Sequence, residues 1–218
     1  MGESREAWPV REREIRLVQG LEVLGLDLGD DQVAGLLQYA DLLLKWNRAY
    51  NLTAVDDPLE IVSRHLLDSL AILPFLAGRQ FIDVGTGPGL PGIPLAIACP
   101  DRHFTLLDSN GKKVRFLFQA RAALELGNVR EVQSRVEDFR PEAGFDGVIS
   151  RAFTSLSGMA DKCRHLLAAG GRFYAMKGRY PEKELSELAK PYNVTASHRL
   201  EIPGVDGVRH LIEIGLLP

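Results

Sequence analysis

The residues best placed to do chemistry stand in one short run, Asp83-Val84-Gly85-Thr86-Gly87-Pro88-Gly89-Leu90-Pro91-Gly92. Between Phe81 and Ala96 the chain places four glycines and three prolines. Glycine at that density makes turns that other residues cannot, and lets a ligand lie against the main chain. Two ligand chemistries compete for such a turn. Gly87 to Gly92 matches G-x-G-x-x-G, a pattern that binds dinucleotides by aiming backbone N–H groups at a pyrophosphate. Here Pro88, Pro91 and Pro94 remove three of those donors. Asp83 adds a carboxylate that repels phosphate and suits a cation. A P-loop is excluded, because no Lys-Ser or Lys-Thr pair follows the glycines.

A second acid, Asp108, ends the next apolar run, 23 residues past Gly85. An acid there can accept both hydroxyls of a ribose. The form Asp83-x-Gly85-x-Gly87-x-Gly89 resembles the first motif of class I S-adenosylmethionine (SAM) methyltransferases. The resemblance implies SAM as cofactor, with S-adenosylhomocysteine as product. It makes Asp83, Gly85, Thr86, Gly87, Leu90, Asp108 and Ser109 candidate cofactor contacts. Further along, "SRVEDF" would put Val136 against the adenine ring and the region of Glu137 near its exocyclic amine. "ISRAF" puts Arg151 at a strand end beside the sulfonium, and "AMKG" puts Lys177 on the same rim.

These residues need elements to hold them. Ile15, Val18 and Leu21 recur at helical spacing, and Val33, Leu36, Leu37, Ala40, Leu43 and Leu44 do so more clearly, with Asp30 or Asp31 as N-cap. "DPLEIVSRHLLDSLAILPFL" opens with Asp57-Pro58, a cap followed by proline at the first helical position, and should break before Pro74. On that helix Arg64 and Asp68 lie four apart, as do His65 and Ser69, so each pair shares a face and the first suits a salt bridge. From Arg79 short apolar runs alternate with helical segments, which predicts βαβ units around a parallel sheet. "NVTASHRLEI" and "GVRHLIEIGLL", joined by "PGVDG", predict an antiparallel hairpin at the sheet edge. The fold class is therefore α/β: a Rossmann-like, mostly parallel sheet with an antiparallel C-terminal hairpin, plus N-terminal helices. A helical region 1–78 is expected to pack on a SAM-binding domain 79–218.

Composition sets the outer limits. The chain has 218 residues, 45% hydrophobic and 25% charged, enough for one domain with a proper core. No apolar run approaches the roughly 20 residues that span a bilayer, and the charged start "MGESREAWPVRERE" does not read as a secretory signal. Cys99 and Cys163 read as buried hydrophobes in a reducing cytoplasm, and no metal site is expected. The net charge of −3 argues mildly against nucleic acid, yet residues 162–199 hold eight Lys/Arg against three Glu. A polyanion could meet that basic face on an acidic protein.

"KWNRAYNLTA", "RHLLDSL", "DVGTGPGLPGIPLA", "SRAF" and "MKG" together resemble the bacterial ribosomal RNA small-subunit methyltransferase G family, also called glucose-inhibited division protein B. The match runs from about Leu42 to the C-terminus. It implies methyl transfer from SAM to N7 of a guanosine in 16S rRNA, near the decoding region. It also implies SAM contacts at Gly85, Leu90, Val136, Glu137 and Arg151. Leu90 departs from the aromatic residue common there, although a leucine can still cover the ligand. Guanine N7 has a free lone pair and no proton to lose, so no general base is required. Asn47, Asp68, Arg151 and Lys177 are the catalytic candidates, and Trp46-Asn47 and Tyr50-Asn51 offer faces and amides for the acceptor base. RNA should engage the rim of strand ends, flanked by Lys112, Lys113, Arg115, Arg164, Lys177 and Arg179. The expected enzyme is a monomer acting on rRNA within a small-subunit assembly intermediate.

Two other readings compete. A nicotinamide-dependent oxidoreductase could use a similar sheet, but Asp83 and the prolines disfavour it. A non-catalytic ribosome-associated module has no reason to keep a glycine turn with both Asp83 and Asp108. A thermal-shift titration separates the methyltransferase from the nicotinamide reading. SAM at about a hundred times its Kd should stabilise by about 2.7 kcal/mol, raising Tm by about 5–10 °C, whereas NAD should not. A shift with NAD and none with SAM overturns the ligand assignment.

Overall fold

The computed structural model describes residues 10–151 and 154–217. The stretch before Val10, which carries most of the start read as no secretory signal, and Ala152-Phe153 of the "SRAF" motif lie outside the described residues. Two helices lead, α1 (Val10–Val23) and α2 (Asp30–Tyr50). A continuous helical stretch follows, made of α3 (Pro58–Ile61), a π-helical segment (Val62–Leu67) and α4 (Asp68–Leu70), and a 3-10 turn covers Leu73–Phe75. Then come β1 (Gln80–Val84), α5 (Gly92–Ala98), β2 (His103–Asp108), α6 (Gly111–Ala123), β3 (Val129–Gln133), β4 (Phe145–Arg151), α7 (Leu156–Cys163), β5 (Leu167–Lys177), α8 (Glu182–Ser186), β6 (Tyr192–Glu201) and β7 (Val208–Leu216).

The strands form one sheet in the order β3-β2-β1-β4-β5-β7-β6. The first five are parallel, and β7 is antiparallel to both β5 and β6. The predicted mostly parallel sheet with a C-terminal hairpin is thus the observed one. Strand order reverses between β1 and β4, where open α/β sheets bind ligands outside the carboxyl ends of the strands.

Alternation along each strand splits the core in two. Phe81, Phe104, Leu106, Ile149, Tyr174 and Leu211 face one layer, which holds Leu17, Leu36, Leu43, Leu66, Ile93 and Phe116 from helices on that side. Their neighbours Ile82, Leu107, Val148, Phe173 and Ile212 face the other, against Leu156, Met159, Cys163 and Leu166. The N-terminal helices therefore share one apolar cluster with the sheet. Cys99 and Cys163 are buried thiols, one in each layer.

Three local expectations need correction. Ile15 and Val18 are 46% and 48% exposed, while Leu17 and Leu21 are buried. Helix α1 docks through Gly20, whose Cβ position is occupied by the Leu67 side chain, and this rotates the buried stripe. The cap of α2 is Gly29, not Asp30 or Asp31. Gln32 Oε1 reaches back to accept from Gly29 N at 2.8 Å, and the two acids sit in the first turn, where the helix dipole favours them. Asp57 caps α3 as predicted, accepting from Leu59 N and Glu60 N at 2.9 Å. The π-helical segment, however, breaks the expected Arg64–Asp68 pairing. Its wider turn leaves Arg64 on Glu60 at 3.1 Å and swings Asp68 toward the sheet.

Because helices and sheet share one core, Leu66→Ala should cost about 2–5 kcal/mol and leave a single unfolding transition. Urea unfolding followed by circular dichroism checks this, and two separated transitions would contradict the shared core.

Candidate functional site

The glycine turn between β1 and α5 is closed on itself. Gly85, Gly87 and Gly89 have φ of 68°, 62° and 97°, where an L side chain is strained. Gly85 N and Thr86 N donate to Leu107 O, and Gly89 N and Leu90 N donate to Thr86 O. Gly87 N donates to Asp108 Oδ2 at 2.9 Å, Gly92 N to Asp83 Oδ2 at 3.0 Å, and Ile93 N to Gly89 O at 2.7 Å. Pro88 and Pro91 have no N–H. From Gly85 to Ile93 every backbone N–H is thus committed to a protein acceptor, and none is left to hold a pyrophosphate.

Asp83 does this work from inside. It is fully buried, and its Oδ2 also accepts from Thr86 Oγ1 at 2.6 Å. Burial pushes its carboxyl up to about 6 against the pull of those two donors. The expected direct contacts of Asp83, Thr86 and Leu90 with a ligand therefore change character. Asp83 and Thr86 shape the loop with their polar atoms, and Leu90 is buried in the apolar cluster beneath it. Tyr39, a residue no motif singled out, locks the turn from α2, its hydroxyl donating to Pro88 O at 2.8 Å.

Beside the loop lies a cleft of about 230 Å³, lined by Val84, Gly85, Leu107, Ser109, Val136 and Glu137 among others. Four predicted cofactor residues, Gly85, Ser109, Val136 and Glu137, meet here. Asp108 anchors its neighbourhood: Oδ1 accepts from Asn110 N at 2.8 Å, Oδ2 accepts from Gly87 N, and Lys113 Nζ stands 3.7 Å away. Glu137 pairs with Lys162 at 3.0 Å across the mouth. Val84, Leu107 and Val136 give the cleft apolar walls, Arg135, Glu137 and Lys162 stand at its border, and the glycine turn beside it has no N–H to spare, which suits a nucleoside without a phosphate. A larger hollow of about 530 Å³ lies at the amino ends of the strands, around Gln80, His103 and Val129, away from the glycine turn.

A second pocket, about 400 Å³, opens over the carboxyl ends of β4 and β5. Asp68 sits in it between Arg151 at 3.2 Å and Arg209 at 3.5 Å. Burial raises the Asp68 carboxyl, and the two guanidiniums oppose that. Arg151 also donates to Arg64 O at 3.3 Å, tying the π-helical segment to the strand end. His65 Nδ1 donates to Arg64 O at 3.0 Å, so Nε2 accepts from Thr53 Oγ1 at 2.7 Å. Burial, with Arg151 nearby, lowers His65 to about 4 and keeps the ring neutral.

Other predicted residues take different places. Asn47 lies outside the pocket lining and accepts from Thr53 N through Oδ1 at 2.9 Å, which holds the loop that carries the His65 partner. Lys177 lines the pocket, but its ammonium is engaged by Glu184 at 2.8 Å and Thr154 O at 3.0 Å, so it is no free phosphate contact. Lys112, Lys113 and Arg115 lie in the first turn and a half of α6 on the rim, and Arg179 follows β5 there. Arg164 does not join them. It opens the turn into the amino end of β5, where Leu167 pairs with Phe145, so it sits toward the opposite end of the sheet. Arg209 and His210 were missed. They open β7, and the antiparallel register Lys177↔His210 brings them to the same rim. The predicted antiparallel hairpin at the sheet edge was the available signal.

The fold and site define a class I SAM-dependent methyltransferase. Solved structures share this fold. The glycopeptide N-methyltransferase MtfA complexed with SAM has a TM-score of 0.59 at 13% identity, covering 71% of this chain and 87% of that one. TYW2 of M. jannaschii in complex with AdoMet has a TM-score of 0.53 at 17% identity, covering 70% and 76%. Residues 32–212 match the GidB family, rRNA small subunit methyltransferase G. The chain is 54% identical over 199 residues to ribosomal RNA small subunit methyltransferase G of Salmonella arizonae, covering 91% of this chain and 96% of that one. It is 56% identical over 201 residues to the protein of the same name from Saccharophagus degradans, covering 92% and 90%. The chain belongs to this family. It is a methyltransferase of small-subunit ribosomal RNA with SAM as methyl donor. Among the described residues no helix is long and apolar enough to cross a membrane, and no His/Cys/Asp/Glu group could hold a metal ion.

The Asp83 clamp has a pH signature. Folding raises this carboxyl from 3.8 to about 6, so the folded state binds the proton more tightly. The contribution of Asp83 is then fully present below the unfolded value and is lost as pH rises through about 6, by roughly 2–3 kcal/mol, while His65, lowered to about 4, contributes in the opposite direction over the same range. Asp83→Asn removes the first contribution only, so the stability of the unaltered protein relative to Asp83→Asn should fall by that amount between about pH 4 and about pH 6.5. Urea midpoints at about pH 4 and about pH 6.5 for both proteins measure it.

Proposed function

We propose that the chain transfers the methyl group of SAM to N7 of a guanosine in 16S rRNA, with the base held in the pocket around Asp68, Arg151 and Arg209. The supporting observation is the match of residues 32–212 to the rRNA small subunit methyltransferase G family, together with a strand-end pocket in which Asp68 lies between two guanidiniums and both His65 nitrogens are engaged. His210 also lines the pocket, its Nδ1 buried without a partner. N7 has no proton to lose, so its methylation calls on no general base. When bound, SAM supplies an electrophilic methyl on a sulfonium. The protein's part is alignment and exclusion of water. Gly85, Ser109, Val136 and Glu137 would hold the nucleoside half of SAM, and Asp108 at the end of β2 would accept from its ribose hydroxyls.

Arg151 and Arg209 offer paired donors of the kind that read guanine O6 or a phosphate. As methylation places positive charge on the purine, the Asp68 carboxylate offsets part of the charge of the two guanidiniums it holds. Arg151 and Asp68 thus touch the reacting base, whereas Asn47 acts as a positioning residue through Thr53 and His65. Lys112, Lys113, Arg115 and Arg179 extend the RNA surface along the rim. The net charge of −3 supports a preference for a structured small-subunit intermediate over naked RNA. Both sheet faces are covered by the chain's own helices, which supports action as a monomer. A substrate of this kind places the enzyme in the cytoplasm.

Mapping N7-methylguanosine in 16S rRNA from cells lacking the gene tests the reading. One site should lose its methyl group and regain it with the intact gene. Arg209→Ala should restore it poorly, with methyl transfer to small subunits falling by about a hundredfold, and kcat of the unaltered enzyme should stay flat from about pH 6 to about pH 8. Unchanged N7 methylation in the deleted strain would overturn it.

A further inference from the structure

A third cleft, about 580 Å³, opens between the C-terminal end of α2 and the exposed side of α6, beside the edge strand β3. Trp46 and Tyr50 line it from α2, Arg115, Phe118 and Gln119 from α6, and Gln133 from the end of β3. It shares no lining residue with the acceptor pocket, which lies across the glycine turn over β4, β5 and β7. Trp46 and Tyr50, expected to offer faces for the acceptor base, line this cleft and not the pocket around Asp68.

The chemistry of this cleft is specific. Trp46 and Tyr50 stack with ring centroids 5.1 Å apart, and Phe116 supports Trp46 at 5.9 Å. Phe118 is 48% exposed, with the Arg121 guanidinium 5.6 Å from its centroid. The one acid in the wall, Glu131, is paired with Arg121 at 2.8 Å. Arg115 has no acidic partner among the described residues, and the basic first turn of α6, with Lys112 and Lys113, adjoins it. Aromatic rings, a guanidinium and amide groups at a basic rim are what stack unpaired bases and bond their edges. A hydrophobic peptide would have no use for Arg115, whose Nε donates to Gly111 O at 3.3 Å and whose charge meets no acid among the described residues.

We propose that this cleft stacks an unpaired base of the ribosomal RNA other than the one methylated, and so fixes the register of the substrate on the rim. The inference rests on the rim being the RNA face, and adds to it a second, non-catalytic base site.

Trp46 is a natural reporter. Trp8→Phe leaves it as the sole tryptophan of the full chain. Titration with the single-stranded oligoribonucleotide hexa-adenylate should quench Trp46 fluorescence, whereas heparin, an anion without bases, should not. In methyl transfer to small subunits, Phe118→Ala should raise KM about tenfold with kcat and SAM affinity unchanged, and Phe118→Tyr should restore it. Quenching by heparin as well as by RNA, or no quenching by RNA together with an unaltered KM for Phe118→Ala, overturns the proposal. If the unaltered chain does not methylate small subunits, the functional reading fails, and the quenching comparison still decides this site.

Discussion

The buried Asp83 carboxylate is the interaction on which the site depends. One oxygen gathers a hydroxyl from Thr86 and an amide from Gly92, and so folds the turn back onto the strand it left. Gly92 must be glycine for this, because Leu106 of the next strand and the Asp83 carboxylate fill the space where a Cβ would stand. With Asp108 holding Gly87 and Tyr39 holding Pro88, the turn has no donors to spare. An ordinary dinucleotide turn keeps N–H groups free for phosphate. This one has used them to become rigid, and a rigid acidic turn without free donors favours a sulfonium nucleoside over a pyrophosphate.

The N-terminal helices serve two purposes through the same packing. They cover the sheet face over β4, β5 and β7 that α5 and α6 do not reach, as the shared apolar cluster shows. They also deliver Asp68, His65 and the carbonyl of Arg64 to the strand ends. The π-helical segment is the device. An α-helix would have paired Arg64 with Asp68 on its own surface, whereas the wider turn frees Asp68 to bridge Arg151 and Arg209. Desolvation of such a carboxylate is costly unless it is paired, and two guanidiniums from two strands supply the pairing. The same contacts join the helical layer to β4 and β7, so acceptor site and fold stability are coupled.

Charge is arranged to the same end. The protein is acidic overall, yet the rim carries the first turn of α6, Arg179, Arg151 and Arg209. Lys177 and Arg164 contribute less than their types suggest. Lys177 is tied to Glu184, and Arg164 lies toward the other end of the sheet. A small, directed set of cations on an acidic body limits binding to arbitrary RNA while leaving a specific docking face.

Much of the architecture was legible in the chain alone. Alternating apolar pairs such as Phe81-Ile82 and Phe173-Tyr174 dictate strands with two buried faces, and Asp57-Pro58 dictates a helix start. The glycine-proline run with Asp83 and Asp108 marks the ligand turn and the chemistry it tolerates, because those are local matters of donors, charge and backbone freedom. What the chain alone could not show was long-range: that Asp83 points inward, that Tyr39 acts through a contact 49 residues away, and that β7 carries Arg209 to Asp68. Those depend on which face a helix turns and on which strand lies beside which. Only the packing of the whole core decides that, since no local pattern contains the partner.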